Sequence, residues 1–165
     1  MIVFLIGFMG CGKTTLGKKL ARKLNYSFVD LDELIEKEVG CSISKIFQNE
    51  GEEAFREKEK NTLHTLTKKQ NLVVSTGGGT PCFFNNLEFM NRSGITIYLK
   101  MTEGLLLSRL MQSENKRPLL KNKTEKELKN YISELLAKRE PYYTMATKTI
   151  EVKNIKIADI IELVK

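Results

Sequence analysis

One nine-residue stretch constrains this chain more than any other: GFMGCGKTT, Gly7 to Thr15. It follows Ile2 to Ile6, a continuous apolar run rich in branched residues and closed by Gly7, which reads as a strand buried on both faces of a parallel sheet. From Lys13 onward Leu16, Leu20 and Leu24 recur every four residues and leave Lys18, Lys19, Arg22 and Lys23 for solvent, the pattern of an amphipathic helix. Strand, glycine loop and helix form the setting in which G-x-x-x-x-G-K-[ST] means a phosphate-binding P-loop. Its glycines let backbone N–H groups turn inward around phosphate oxygens, and the helix N-terminus adds partial positive charge. Lys13 is expected to reach the β- and γ-oxygens of ATP, and the Thr14 hydroxyl to ligate Mg²⁺. Gly10, Cys11, Gly12 and Thr15 complete the expected ATP-binding loop, with Cys11 as a small side chain at a variable position.

The remaining chain keeps the same rhythm. Ser27 to Leu31, Leu72 to Thr76, Ile95 to Leu99 and Thr149 to Val152 read as further strands separated by helical patterns, which predicts an α/β sandwich with ligands beyond the carboxyl ends of a parallel sheet. A length of 165 residues fits one domain. No apolar run approaches the roughly 18 residues needed to cross a bilayer, and the apolar N-terminus lacks the charged flank of an export signal. Cys11, Cys41 and Cys82 are odd in number and far apart, as expected of reduced thiols in a cytoplasmic protein. The net charge of +7 comes from scattered lysines, not from a block of them, so a solvated surface is expected rather than a nucleic-acid site. With no coiled-coil signal, the expected state is a monomer.

Two stretches break the rhythm. Leu34 to Lys69 is a helical region interrupted near Gly40 and Gly51, with Ser42 as an N-cap, and predicts two or three helices inserted between the second and third strands. Gln112 to Lys123 is polar and lysine-rich apart from Pro118-Leu119-Leu120, as suits either a lid or a plain surface loop. Thr124 and Glu127 form a T-x-x-E capping box, so a helix is expected to start there.

The rare charged types narrow the candidates: the chain has 21 Lys against 6 Arg, and 17 Glu against 3 Asp. A guanidinium offers a planar fork for phosphate or carboxylate that Lys cannot copy, so the six arginines, Arg22, Arg56, Arg92, Arg109, Arg117 and Arg139, merit separate attention. A P-loop needs an acid near the magnesium shell. The third strand ends in Gly77-Gly78-Gly79 with no acid, whereas the second ends in Phe28-Val29-Asp30-Leu31-Asp32. Period-two spacing puts Asp30 and Asp32 on one side if the strand extends that far, one for Mg²⁺ and one for a substrate hydroxyl; alternatively both cap the next helix. Arg56 has Glu52, Glu53 and Glu59 within a helical turn and could belong to a surface ion-pair ladder. Arg139 could pair with Glu134 or Glu140, and Gly77 to Pro81 could be only a turn. His64 sits at no motif position and reads as structural.

Taken together, GFMGCGKTT, VDLD, Gly51-Glu52-x-x-Phe55-Arg56-x-x-Glu59, Gly77-Gly78-Gly79, Arg117-Pro118-Leu119-Leu120 and Arg139 ahead of Tyr142 resemble the shikimate kinase family over the whole chain. The resemblance implies a nucleoside monophosphate kinase-like P-loop fold: a five-stranded parallel sheet flanked by helices, a substrate-binding insertion and a lid. The corresponding divisions are a core of 1–32, 70–111 and 124–165, an insertion of about 33–69 and a lid of about 112–123. It further implies transfer of the ATP γ-phosphoryl to the 3-hydroxyl of shikimate, with Mg²⁺ required. Asp32 then matches the aspartate on the shikimate hydroxyls, Asp30 the one near the magnesium waters, and Arg56 and Arg139 the pair on the substrate carboxylate. Gly77, Gly78 and Gly79 match the loop at its hydroxyls, Glu59 a supporting residue, Arg117 the lid arginine on the transferring phosphates and Arg109 the residue packed on adenine. Lys13, Asp32 and Arg117 are the expected catalytic residues. A gluconate-type kinase is the nearest enzymatic rival, and a regulatory nucleotide-binding or nucleic-acid-binding module is the rival of another class. The chain lacks an aromatic stacking motif and a basic stripe, which argues against the last.

Overall fold

The protein is described from a computed structural model covering residues 1–113 and 120–165. β1 (Ile2–Ile6) lies at the centre of a five-stranded sheet with β2 (Ser27–Asp30), β3 (Leu72–Ser75), β4 (Ile95–Lys100) and β5 (Lys148–Glu151), in the order β2-β3-β1-β4-β5. All four pairings are parallel. Val3 to Ile6 are wholly shielded from solvent, as the uninterrupted apolar run requires of a central parallel strand. The edge strand β5, with its Lys148 and Glu151, is mostly exposed.

The order places a topological switch at β1. The chain leaves β1 toward β3 and β2 on one side, then returns to β4 and β5 on the other, which opens a crevice at the carboxyl ends of the central strands. Helix α1 (Lys13–Leu24) runs from that crevice and packs on β1, β2, β3 and the last helix, α7 (Ile157–Val164). It ends where Asn25 adopts a left-handed conformation and its N–H returns to the Ala21 and Arg22 carbonyls.

The insertion consists of α2 (Leu31–Val39) and α3 (Ile43–Leu66). Gly40 ends α2 with φ 79°, and Gly51 interrupts α3 with φ 84° and ψ 174°, both in backbone regions that glycine reaches without steric cost. Ser42 caps α3 by accepting the Lys45 N–H. A short 3₁₀ turn over Thr80–Cys82 leads into α4 (Asn86–Ser93), and α5 (Glu103–Gln112) packs on α6 (Glu125–Tyr143). The Thr124 and Glu127 capping box forms reciprocally at the start of α6.

Expected and observed strands agree to within one residue at each end. One difference matters: β2 stops at Asp30, because its carboxylate accepts the Asp32 and Glu33 N–H groups and starts α2 there. Asp32 therefore stands on the first turn of a helix, and the period-two argument for its direction does not apply. Among the described residues, no helix is long and apolar enough to cross a membrane.

Candidate active site

The phosphate side is a matter of backbone conformation. Gly7, Gly10 and Gly12 have φ of 142°, 81° and 99°, which L side chains rarely adopt. At Gly7 a Cβ would also stand 2.9 Å from the Leu99 carbonyl oxygen. Gly12 precedes α1 with no side-chain cap, and no acidic residue occupies the first turn, so the helix N-terminus remains suited to an anion. Lys13 is buried and folds back over the loop, its Nζ donating to the Gly7 and Phe8 carbonyls at 2.8 and 2.9 Å. Those contacts hold the ammonium at the cleft, where phosphate oxygens would compete for it. Cys11 is wholly buried, so only its backbone is offered to a ligand. Thr15 is exposed at the cleft rim.

Asp30 faces two ways, toward the start of α2 and toward the P-loop threonine. Its Oδ1 caps α2, while its Oδ2 accepts the Thr14 hydroxyl at 2.7 Å. Ser75, directly opposite Asp30 in the β2–β3 register, brings its Oγ to 3.3 Å from the Thr14 Oγ1. Ser75 was missed by a search for an acid at the end of β3; the available signal was a hydroxyl at the end of an otherwise apolar buried strand. This cluster is all oxygen. Such donors suit Mg²⁺, an ion usually bound through one or two carboxylates together with substrate phosphates.

A cleft of about 380 Å³ brings together Lys13, Thr14, Asp30, Asp32, Ser75 and Arg109. Arg109, on α5, reaches across the loop mouth with its Nη1 3.4 Å from the Gly10 carbonyl oxygen. Arg117 lies outside the described residues.

The opposite wall is a matter of space. A Cβ on Gly77 would stand 3.0 Å from the side-chain oxygens of Asp32, Glu59 and Thr80; on Gly78, 3.0 Å from the Arg139 guanidinium; on Gly79, 2.5 Å from an Arg56 nitrogen. Three bare backbone positions thus let Asp32, Arg56, Glu59 and Arg139 converge on one spot. Gly77 to Thr80 do make a turn, closed by the Thr80 N–H to the Gly77 carbonyl, but the side chains packed on it give it a further role.

Arg56 is buried. Its ion pairs with Glu52 and Glu59 form as the helical spacing allows, at 3.4 and 2.9 Å; the Glu52 side chain is exposed, but the Glu59 side chain has no exposed surface, so that pair is not part of a solvent-washed ladder. Phe83 lies against the guanidinium, 4.0 Å from its carbon to the ring centroid. The Arg56 Nε is buried without a partner among the described residues, an unmet donor that fits an anionic ligand. Burial raises the Glu59 carboxyl above its usual range, against the opposing pull of Arg56 and of the Thr80 hydroxyl, which donates to it at 2.5 Å. Arg139 does not pair with Glu140, whose carboxylate is occupied by the Tyr98 hydroxyl at 2.5 Å and by Lys100 at 3.5 Å. Burial pushes the Cys82 thiol up to about 11 despite the nearby Arg139 and Arg56, which keeps it a protonated, unreactive neighbour of the site. His64 stacks on Phe89 with ring centroids 3.8 Å apart, away from the cleft.

With this geometry in place, the comparisons with known proteins decide the family. The shikimate kinase family model matches residues 9–164. The chain belongs to the shikimate kinase family. It is similar to the shikimate kinase of Parabacteroides distasonis, 50% identical over 149 residues that span 90% of this chain and 86% of the relative. A solved shikimate kinase from Bacteroides thetaiotaomicron superposes with a TM-score of 0.93 at 42% identity, over 99% of this chain and 95% of that one. The shikimate kinase from Acinetobacter baumannii, solved in complex with shikimate, gives 0.86 at 37% identity, over 98% and 89%. A gluconokinase from Sinorhizobium meliloti is more distant, at 0.56 and 15% identity over 97% and 86%, a likeness of fold alone. The glycine triplet lies beside the P-loop, where a Cβ on Gly78 would stand 3.5 Å from the Met9 nitrogen and 3.6 Å from the Gly7 carbonyl oxygen, and Asp32 borders both the cleft and the triplet.

Proposed function

We propose that this shikimate kinase chain transfers the γ-phosphoryl of ATP to the 3-hydroxyl of shikimate, giving 3-phosphoshikimate and ADP, and that the residues named above divide the work by wall. The supporting observation is the convergence of Asp32, Arg56 and Arg139 on the glycine triplet, beside the P-loop. A substrate with a carboxylate at one end and hydroxyls at the other needs forked cations for the first and an acceptor for the second. Arg56, braced by Glu59 and Phe83, and Arg139 supply the forks. Asp32 supplies the acceptor and takes the proton of the attacking hydroxyl to whatever extent a loose transition state requires.

On the phosphate wall, the P-loop amides and α1 N-terminus receive the β- and γ-phosphates. Lys13 exchanges the Gly7 and Phe8 carbonyls for phosphate oxygens, and Arg109 borders the adenine. Thr14, Asp30 and Ser75 would hold Mg²⁺ and its water. Bound there, Mg²⁺ supplies neutralisation of phosphate charge and alignment of the γ-phosphoryl. The division into a core, an insertion of about 33–69 and a lid of about 112–123 belongs to the same proposal, with Arg117 of the lid as a further charge for the transferring phosphoryl. A monomeric, cytoplasmic protein completes the reading, supported by free thiols at Cys11, Cys41 and Cys82. A coupled ADP-release assay with Mg²⁺–ATP and shikimate, gluconate or AMP tests it. Stimulation by shikimate alone is expected; stimulation by gluconate or AMP in its place contradicts the reading.

A further inference from the structure

Tyr143 lies at the C-terminal end of α6, four residues beyond Arg139, and is wholly buried. Its hydroxyl donates to the Gly78 carbonyl at 2.5 Å, a contact across 65 residues of sequence. Burial pushes the phenol well above its ordinary range, against the opposing charge of Arg139, so it remains a donor at any pH at which the protein functions. Its ring packs on Tyr98, with centroids 5.0 Å apart. Tyr98 in turn bonds Glu140, so two buried phenols fasten the same end of α6. They fasten it to different things: Tyr98 joins α6 to the sheet, whereas Tyr143 joins it to the middle of the glycine triplet.

We propose that Tyr143 is a positioning residue for the acceptor substrate, fixing the Gly78–Gly79 peptide plane and its registry with Arg139. Among the described residues there are no cis peptide bonds, and in a trans peptide the C=O and N–H point in opposite directions. Holding the Gly78 carbonyl toward Tyr143 therefore turns the Gly79 N–H the other way. The same bond ties the triplet to the helix that carries Arg139, whose guanidinium stands 3.0 Å from where a Gly78 Cβ would be. Glycine itself imposes little conformational preference, and the Thr80 N–H to Gly77 carbonyl bond closes the turn at its ends, so the tie from Tyr143 acts on the peptide between them.

The inference rests on the activity proposed above, and paired variants separate the two. Tyr143→Phe keeps the ring and removes only the hydroxyl. It should raise KM for shikimate about 5- to 10-fold, as loss of one aligned buried hydrogen bond implies, with KM for ATP within about twofold and kcat falling less than shikimate KM rises. Tyr98→Phe removes the neighbouring phenol's bond to Glu140. It should lower the melting temperature while leaving shikimate KM within about twofold. An unchanged shikimate KM in Tyr143→Phe overturns the inference, and so does an equal rise in Tyr98→Phe, which would mark the effect as general loosening of α6. Absence of shikimate-dependent ADP release in the unmodified protein would instead sink the activity itself and this inference with it.

Discussion

On the phosphate wall, Gly7, Gly10 and Gly12 have positive φ and lie within six consecutive positions. On the facing wall, none of Gly77, Gly78 and Gly79 does, and Gly79 has an unremarkable φ of −91°. The first set is glycine because of the path the backbone takes; the second is glycine because of what stands over it. A side chain added to the P-loop strains the main chain itself. One added to the triplet meets the ends of side chains instead, those of Arg56, Arg139, Asp32, Glu59 or Thr80. The two walls should therefore fail differently when altered.

The largest effect belongs to the phosphate wall. Lys13→Ala should reduce kcat about 10³-fold, the scale of losing a preorganised charge at a transferring group, while the purified variant gives a native circular dichroism spectrum. A loss of under about tenfold would deny that Lys13 leaves the Gly7 and Phe8 carbonyls for the phosphates. Next is Arg56→Lys, which keeps the charge and removes the fork. We expect shikimate KM to rise about 10- to 100-fold with ATP KM nearly unchanged; steady-state kinetics with each substrate varied would reveal a joint change and so blur the division between walls.

The smallest effect concerns stability. The folded Glu59 carboxyl is raised above its ordinary value of 4.5, so the native state holds this proton more tightly than the unfolded chain. That contribution is fully present below pH 4.5 and is lost as pH rises through the raised folded value. Glu59→Gln removes the slope. The unfolding free energy of the unmodified protein minus that of the variant should shrink above pH 4.5, by no more than about 1.4 kcal/mol per pH unit. Urea melts between about pH 4 and 8 would measure it; a gap that widens with pH would mean that the Arg56 pairing outweighs burial.

The same contrast explains how much could be read from the sequence. The phosphate wall is contiguous, and each constraint on it is local: a buried strand, glycines at turning points, a lysine opening a helix. The Gly51 break and the Thr124 capping box were legible for the same reason. On the other wall, Asp32, Arg56 and Arg139 were found through family resemblance, because a helical Arg with Glu at i−4 and i+3 looks like a surface ladder until Phe83 and Thr80 are seen to bury it. Tyr143 and Ser75 were missed, since their partners lie 65 and 61 residues away; no local pattern marks Tyr143, and Ser75 shows only as a hydroxyl ending an apolar strand. Asp32 lines the same cleft as Asp30, but not through strand alternation, because the capping carboxylate of Asp30 ends the strand before it.

Calorimetric titration of Gly79→Ala, first with shikimate and then with an ATP analogue and Mg²⁺, tests the separation of the two walls most directly. The added methyl would stand 2.5 Å from the Arg56 guanidinium, so shikimate affinity should fall about 100-fold, as loss of charge-assisted contacts implies, with nucleotide affinity within about twofold. Equal losses for both ligands, or no loss for shikimate, would contradict a triplet whose purpose is to make room for Arg56.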